Sequence, residues 1–214
     1  HKGAKMPYGV LGSQADQTAK NFGVFSVNDV ADLEKQGKFG GSLELIQEID
    51  QTSMTSQVDM TSIKESEYDM HIVQLTNVKP ENDNKSFFMR LSADGGSSFR
   101  SSDYNIAYYS RNTFGTVTDG MSTTYTAFLI GSPIGNNTYE NLNCTMYLQN
   151  LGNSSLFSTG YVVSNYMDGN GYIYGHYGFN AYDGGAETHN ALRFVMTQGD
   201  LTGNFKLYGY KEIT

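Results

Sequence analysis

The chain has no tryptophan, only one cysteine, no run of basic residues and no long apolar stretch. Each shortage removes a class of protein. Cys144 alone cannot close an internal disulfide, so no disulfide framework holds the fold. Lys and Arg together number 14 against 22 Asp and Glu, for a formal net charge of −8 and a pI near 4.9. Nucleic-acid binding draws its affinity from Lys/Arg stripes that neutralise phosphates, and this chain has no such stripe. The negative balance favours solubility and opposes contact with anionic membranes. No window approaches the roughly 18 apolar residues a membrane-spanning helix requires. The opening residues, HKGAKMPYGVLGSQADQ, also lack the apolar core of a secretory leader.

What is abundant points to strands and turns. There are 24 glycines and 16 tyrosines, only 17% of residues are charged, and Ser, Thr and Asn are frequent. Aromatic residues at 13% with so little charge argue against disorder. The length of 214 residues suits one sizeable domain, alone or with an arm. Residues 1–25 have no clear period and read as an extended arm. Residues 26–40 predict a short helix and linker. Ser26 can cap it, with Asp29 at the third helical position, and Gly37 can supply the left-handed stop. Val27, Val30 and Leu33 recur at helical spacing. So short a helix must dock its apolar stripe, either on its own body or on another subunit.

Residues 41–214 predict the body. From Leu43 the apolar period becomes two, as in LELIQEI, YDMHIVQL, SFFMRLS and YNIAYY. TYTAFLI, CTMYLQ, FSTGYVVS, YIYGHY, ALRFVM and NFKLYGY continue the pattern. Clusters such as PENDN, DGGS, SPIGNN, LGNSS and YDGGAE separate them as turns. In LSADGGSSFRSSDYNIAYYS, Asp94-Gly95-Gly96 supplies the positive φ angles of a tight hairpin. The pattern predicts an all-β chain: an antiparallel two-sheet sandwich of about ten strands, jelly-roll-like, with the arm and helix in front.

Catalytic chemistry finds little purchase. No serine lies in a G-x-S-x-G elbow, and His71 falls inside a strand, where a structural histidine is expected. Asp168 and Asp183 flank the run GYIYGHYGFNAY and would serve glycoside hydrolysis only if they faced one cleft 5–10 Å across. Asp beside Gly is also ordinary turn chemistry. The oxygen-rich ENDN and DGN pieces lack the full spacing of a calcium loop, no Cys/His spacing suits zinc, and no loop cradles phosphate. No catalytic residue, metal ligand or cofactor is therefore expected. The candidate binding surface is the aromatic run itself: Tyr172, Tyr174, His176, Tyr177 and Tyr182, whose rings and hydroxyls suit sugars or a protein partner. Period two would instead turn half of them inward.

Several stretches carry a resemblance: GVFSVNDVADLEKQGKFGGSLELIQE, YDMHIVQLTNVKPENDNKSFFMRLSADGGSSF, CTMYLQNLGNSS and GNFKLYGYKE. Together, over roughly Phe22 to Lys211, they resemble structural proteins of tailed bacteriophages of aquatic bacteria. None of these stretches is a catalytic motif. The resemblance implies a virion component, either a tail fibre or appendage protein or a capsid-decorating one. It implies assembly with copies of itself, expected as a homotrimer by analogy with such proteins, and with other virion proteins. Val27, Val30 and Leu33 are the candidate docking residues. Contact with host-surface glycans is a further expectation, and a non-catalytic carbohydrate-binding sandwich is the alternative reading.

Overall fold

A computed structural model describes residues 43–211. The expected arm, the helix and its residues Val27, Val30 and Leu33 lie outside the described residues. Within them there are twelve strands and no helix. They are β1 (Leu43–Thr55), β2 (Val58–Thr61), β3 (Met70–Pro80), β4 (Lys85–Ser92), β5 (Tyr104–Asn112) and β6 (Val117–Tyr125). Then come β7 (Phe128–Ile134), β8 (Leu142–Gln149), β9 (Thr159–Met167), β10 (Ile173–Tyr182), β11 (Ala191–Met196) and β12 (Leu201–Tyr210).

The strands form two antiparallel sheets, as the alternating pattern predicts. The larger has eight strands in the order β1-β12-β3-β8-β9-β10-β5-β6, and the smaller four, β2-β11-β4-β7. Eight of the strands form a recognisable frame. Without β1, β12, β9 and β10 the orders become β3-β8-β5-β6 and β2-β11-β4-β7, which is the double winding of an eight-strand jelly roll. Two additions extend this frame. The β9–β10 hairpin is inserted between β8 and β5, and β12 with β1 flanks β3.

Alternation along each strand builds the core. β8 buries Leu142, Cys144, Met146 and Leu148 and exposes or half-exposes the residues between them. β12 does the same with Leu201, Phe205 and Leu207. Phe87, Phe194 and Phe205 meet in the centre, with ring centroids 5.3–6.5 Å apart. Each fully buried ring of this size contributes about 1.5–3 kcal/mol through removal of apolar surface from water. Gly209 is required by a close approach: the Tyr68 ring lies where a Cβ would stand.

Asp94-Gly95-Gly96 turns as expected, with φ of 72° at Gly95 and 90° at Gly96. Its role differs from the hairpin expected from the sequence. β4 belongs to the smaller sheet and β5 to the larger, so this turn begins a crossing between layers. The Asp94 carboxylate organises it by accepting hydrogen bonds from Ser92 Oγ, Ser98 N and Ser98 Oγ. Those donors hold its pKa down to about 2.

Candidate functional site

The outer face of the eight-stranded sheet is the most distinctive surface of the body. Cross-strand partners share a face, so the pairings define rows running across the strands. One row passes from edge to edge without a polar side chain other than tyrosine. It runs Leu45, Tyr208, Ile72, Tyr147, Tyr161, Phe179, Ala107, Met121. All eight are exposed or half-exposed, Met121 at 88% and Phe179 at 60%.

The middle of this row is a run of three rings packed against one another. Tyr147 and Tyr161 have centroids 6.3 Å apart and planes 24° apart. Tyr161 and Phe179 are 5.1 Å apart with planes at 33°. The neighbouring row on the same face reads Gln149, Thr159, Ala181, Asn105, so amides and a hydroxyl run beside the rings. Ser122 and Thr123 of β6 complete one side. Together these residues bound an open groove of about 810 Å³. None of its lining residues is charged, although the chain carries a net charge of −8. Asn105 Nδ2 donates to Asp183 Oδ2 at 2.7 Å, and its Oδ1 has no protein partner.

The opposite end of the face has a second apolar feature. Leu43, Tyr210 and Met70 form a row beside Leu45, Tyr208 and Ile72. Six apolar or aromatic side chains thus cover β1, β12 and β3, with Leu43 50% and Leu45 47% exposed. The next row begins with Glu48 and Lys206, which form an ion pair at 3.3 Å.

The five aromatic-run residues do not share one surface. Tyr177 lies on the outer face, opposite Tyr109 of β5. Tyr172 is half-buried just before β10 and stacks on the exposed Phe114 ring at 5.1 Å. Tyr174, His176 and Tyr182 point into the sandwich, a correction to the expectation of a common binding surface. Tyr174 stacks on Tyr166 with centroids 5.0 Å apart and planes at 9°. His176 lies 5.4 Å from the Tyr108 ring with Nε2 unpartnered, and burial pushes its pKa down to about 4. Tyr182 packs edge-on against Tyr104 and His189. Phe179 of the same run shares the outer face with Tyr177, as the period of two requires. Tyr147, Tyr161 and Met121 come from other strands, and only the registers bring them to it.

Asp168 and Asp183 bracket β10, so a strand of about 33 Å separates them at 3.3 Å per residue. They do not face one cleft. Asp168 is buried and accepts the N–H groups of Asn170 and Tyr172, the turn role weighed from sequence. The ENDN and DGN pieces do meet: Asn84 Oδ1 accepts from Gly169 N at 2.9 Å. Among the described residues, no group of three or more His, Cys, Asp or Glu side chains could hold a metal ion. Cys144 is buried, which pushes its thiol pKa up and keeps it out of thiolate chemistry.

One constellation was invisible in the sequence. Ser158 Oγ lies 2.8 Å from His189 Nδ1, and His189 Nε2 lies 3.2 Å from Glu187 Oε1 without the alignment of a hydrogen bond. Arg100 clamps Glu187 with bonds of 2.7 and 2.6 Å. The residue types match a hydrolytic triad, but the environment opposes that role. Ser158 is 1% exposed and His189 fully buried. Burial lowers the His189 pKa, and the Arg100 hydrogen bonds lower that of Glu187. The chain reads as a strut tying the β4–β5 crossing to the β10–β11 connection.

No protein-family model matches this chain, and neither a curated protein nor a solved structure was found to be similar to it.

Proposed function

We propose that this chain is a non-catalytic structural subunit of a phage particle, a fibre, appendage or capsid-decorating protein that assembles with copies of itself as a homotrimer. The observation that supports assembly is the six-residue apolar patch of Leu43, Leu45, Met70, Ile72, Tyr208 and Tyr210. Among the described residues such a patch has no partner, and it contains no charge, so two copies of an acidic chain can meet there without like-charge repulsion. The phage assignment is supported by the resemblance. Its stretches fall on β3 and β4, on β8 and on β12.

Light scattering across a concentration series tests the assembly. The full chain is expected to form a trimer, and Leu43→Glu combined with Leu45→Glu is expected to give a folded monomer. A full chain that stays monomeric throughout would overturn the reading. Peptides of the chain in gradient-purified phage particles test the location. A second reading, a carbohydrate-binding sandwich, is favoured by the groove, which lies on other strands of the same face.

A further inference from the structure

We infer that the groove across β8, β9, β10, β5 and β6 binds a neutral, extended oligosaccharide lying across the strands. This inference deepens the second reading above, on which it rests, and is independent of the particle reading.

Three properties select the ligand. The first is charge. An anionic ligand would find no cation among the lining residues of a chain that is itself negative, and the Asp183 carboxylate beside Asn105 is already engaged with its amide. A neutral ligand has no such deficit. The second is the run of rings. Tyr147, Tyr161 and Phe179 pack against one another along one row, with centroids 6.3 and 5.1 Å apart, a spacing comparable with successive units of a sugar chain. Aromatic rings bury the apolar C–H faces of pyranoses, and repeating rings favour a repeating ligand.

The third is the row alongside. Gln149, Thr159 and Asn105 run parallel to the rings, one residue pair along each strand. Amide side chains offer both a donor and an acceptor, the pairing that vicinal hydroxyls need. Asn105 is held by Asp183 through its nitrogen and its oxygen is buried, so Gln149 and Thr159 carry the hydrogen bonding of this row. A sugar chain crossing the strands would meet the exposed aromatic row on one flank and Gln149 and Thr159 on the other. A volume of about 810 Å³ fits a short oligosaccharide and lies within the usual range of ligand clefts.

Titration calorimetry on the full chain tests this with hexasaccharides of β-1,4-glucose, β-1,4-N-acetylglucosamine, β-1,3-glucose and α-mannose, against an oligogalacturonate as the anionic comparison. At least one neutral probe is expected to bind. Phe179→Ala is expected to weaken it more than tenfold and Gln149→Ala several-fold, with thermal stability retained. The monomeric Leu43→Glu, Leu45→Glu chain should bind the same probe unchanged, which separates this inference from the assembly reading. Binding by none of the neutral probes, preference for the anionic probe, or indifference to Phe179→Ala would each overturn it. So would loss of the oligomer in Phe179→Ala, because the groove would then be a subunit contact.

Discussion

Arg193 on β11 stands directly opposite Asp59 on β2 and donates two hydrogen bonds of 2.7 Å to its carboxylate. The guanidinium also lies 4.0 Å over the Phe99 ring. The pair matters because β2 has only four residues and ends its sheet, so the clamp adds to the hold of its buried Val58 and Met60. A planar fork makes both contacts at once, and a lysine cannot. Arg193→Lys should therefore destabilise the body by about 1–2 kcal/mol and Arg193→Ala by about 2–3 kcal/mol. Urea unfolding of both variants measures this, and unchanged midpoints would refute it.

Two phenylalanines should respond in opposite ways. Phe194 is fully buried against Phe87 and Phe205, so Phe194→Ala leaves a cavity and should cost about 3–5 kcal/mol. Phe179 stands on the outer face, and Phe179→Ala should change stability by less than about 1 kcal/mol. Thermal melts of the two variants check the contrast. A large loss for Phe179 would place it in the core rather than on a binding surface.

Acid should weaken the fold through His176. Its folded pKa of about 4 lies below the ordinary 6.5. As pH falls through about 6.5 the unfolded chain takes up a proton that the folded chain refuses. Stability declines until pH 4 and then levels, by about 3 kcal/mol for this residue at about 1.4 kcal/mol per pH unit. Burial shifts His71 and His189 in the same direction, and they add to the slope. Unfolding free energies measured between pH 7.5 and 4 should show a shallower dependence in His176→Gln. An identical slope would remove His176 from the account.

The Ser158–His189 contact should prove structural. Ser158→Ala leaves His189 Nδ1 buried without a partner and should cost about 1–3 kcal/mol. The unaltered chain should not react with a serine-directed fluorophosphonate. Labelling that disappears in Ser158→Ala would restore a hydrolytic role.

The fold was legible wherever one face of a strand is buried and the other wet. ALRFVM coincides with β11 residue for residue. The reading failed at changes of layer. TYTAFLI looks like one strand, yet the chain bends at Thr126 and Ala127, so Tyr125 ends β6 in one sheet and Phe128 starts β7 in the other. No glycine or proline marks that bend. SPIGNN looks like a turn, yet Pro133 lies inside β7, which ends its sheet, where proline is tolerated. The site was less legible still. Tyr147, Tyr161 and Phe179 are 14 and 18 residues apart in sequence, and no local pattern links them. His176 and Tyr177 look like one aromatic surface in sequence because adjacency there hides the alternation of faces.

The hairpin that carries Tyr161 and Phe179 is an insert in a frame whose strand order is complete without it. The same hairpin works on both sides of the sheet: Tyr161 and Phe179 stand on the outer face, while Val162, Tyr166 and Tyr182 pack in the core. Its outward positions can change their ring content, and with it the character of the face, as long as the inward ones keep the core filled.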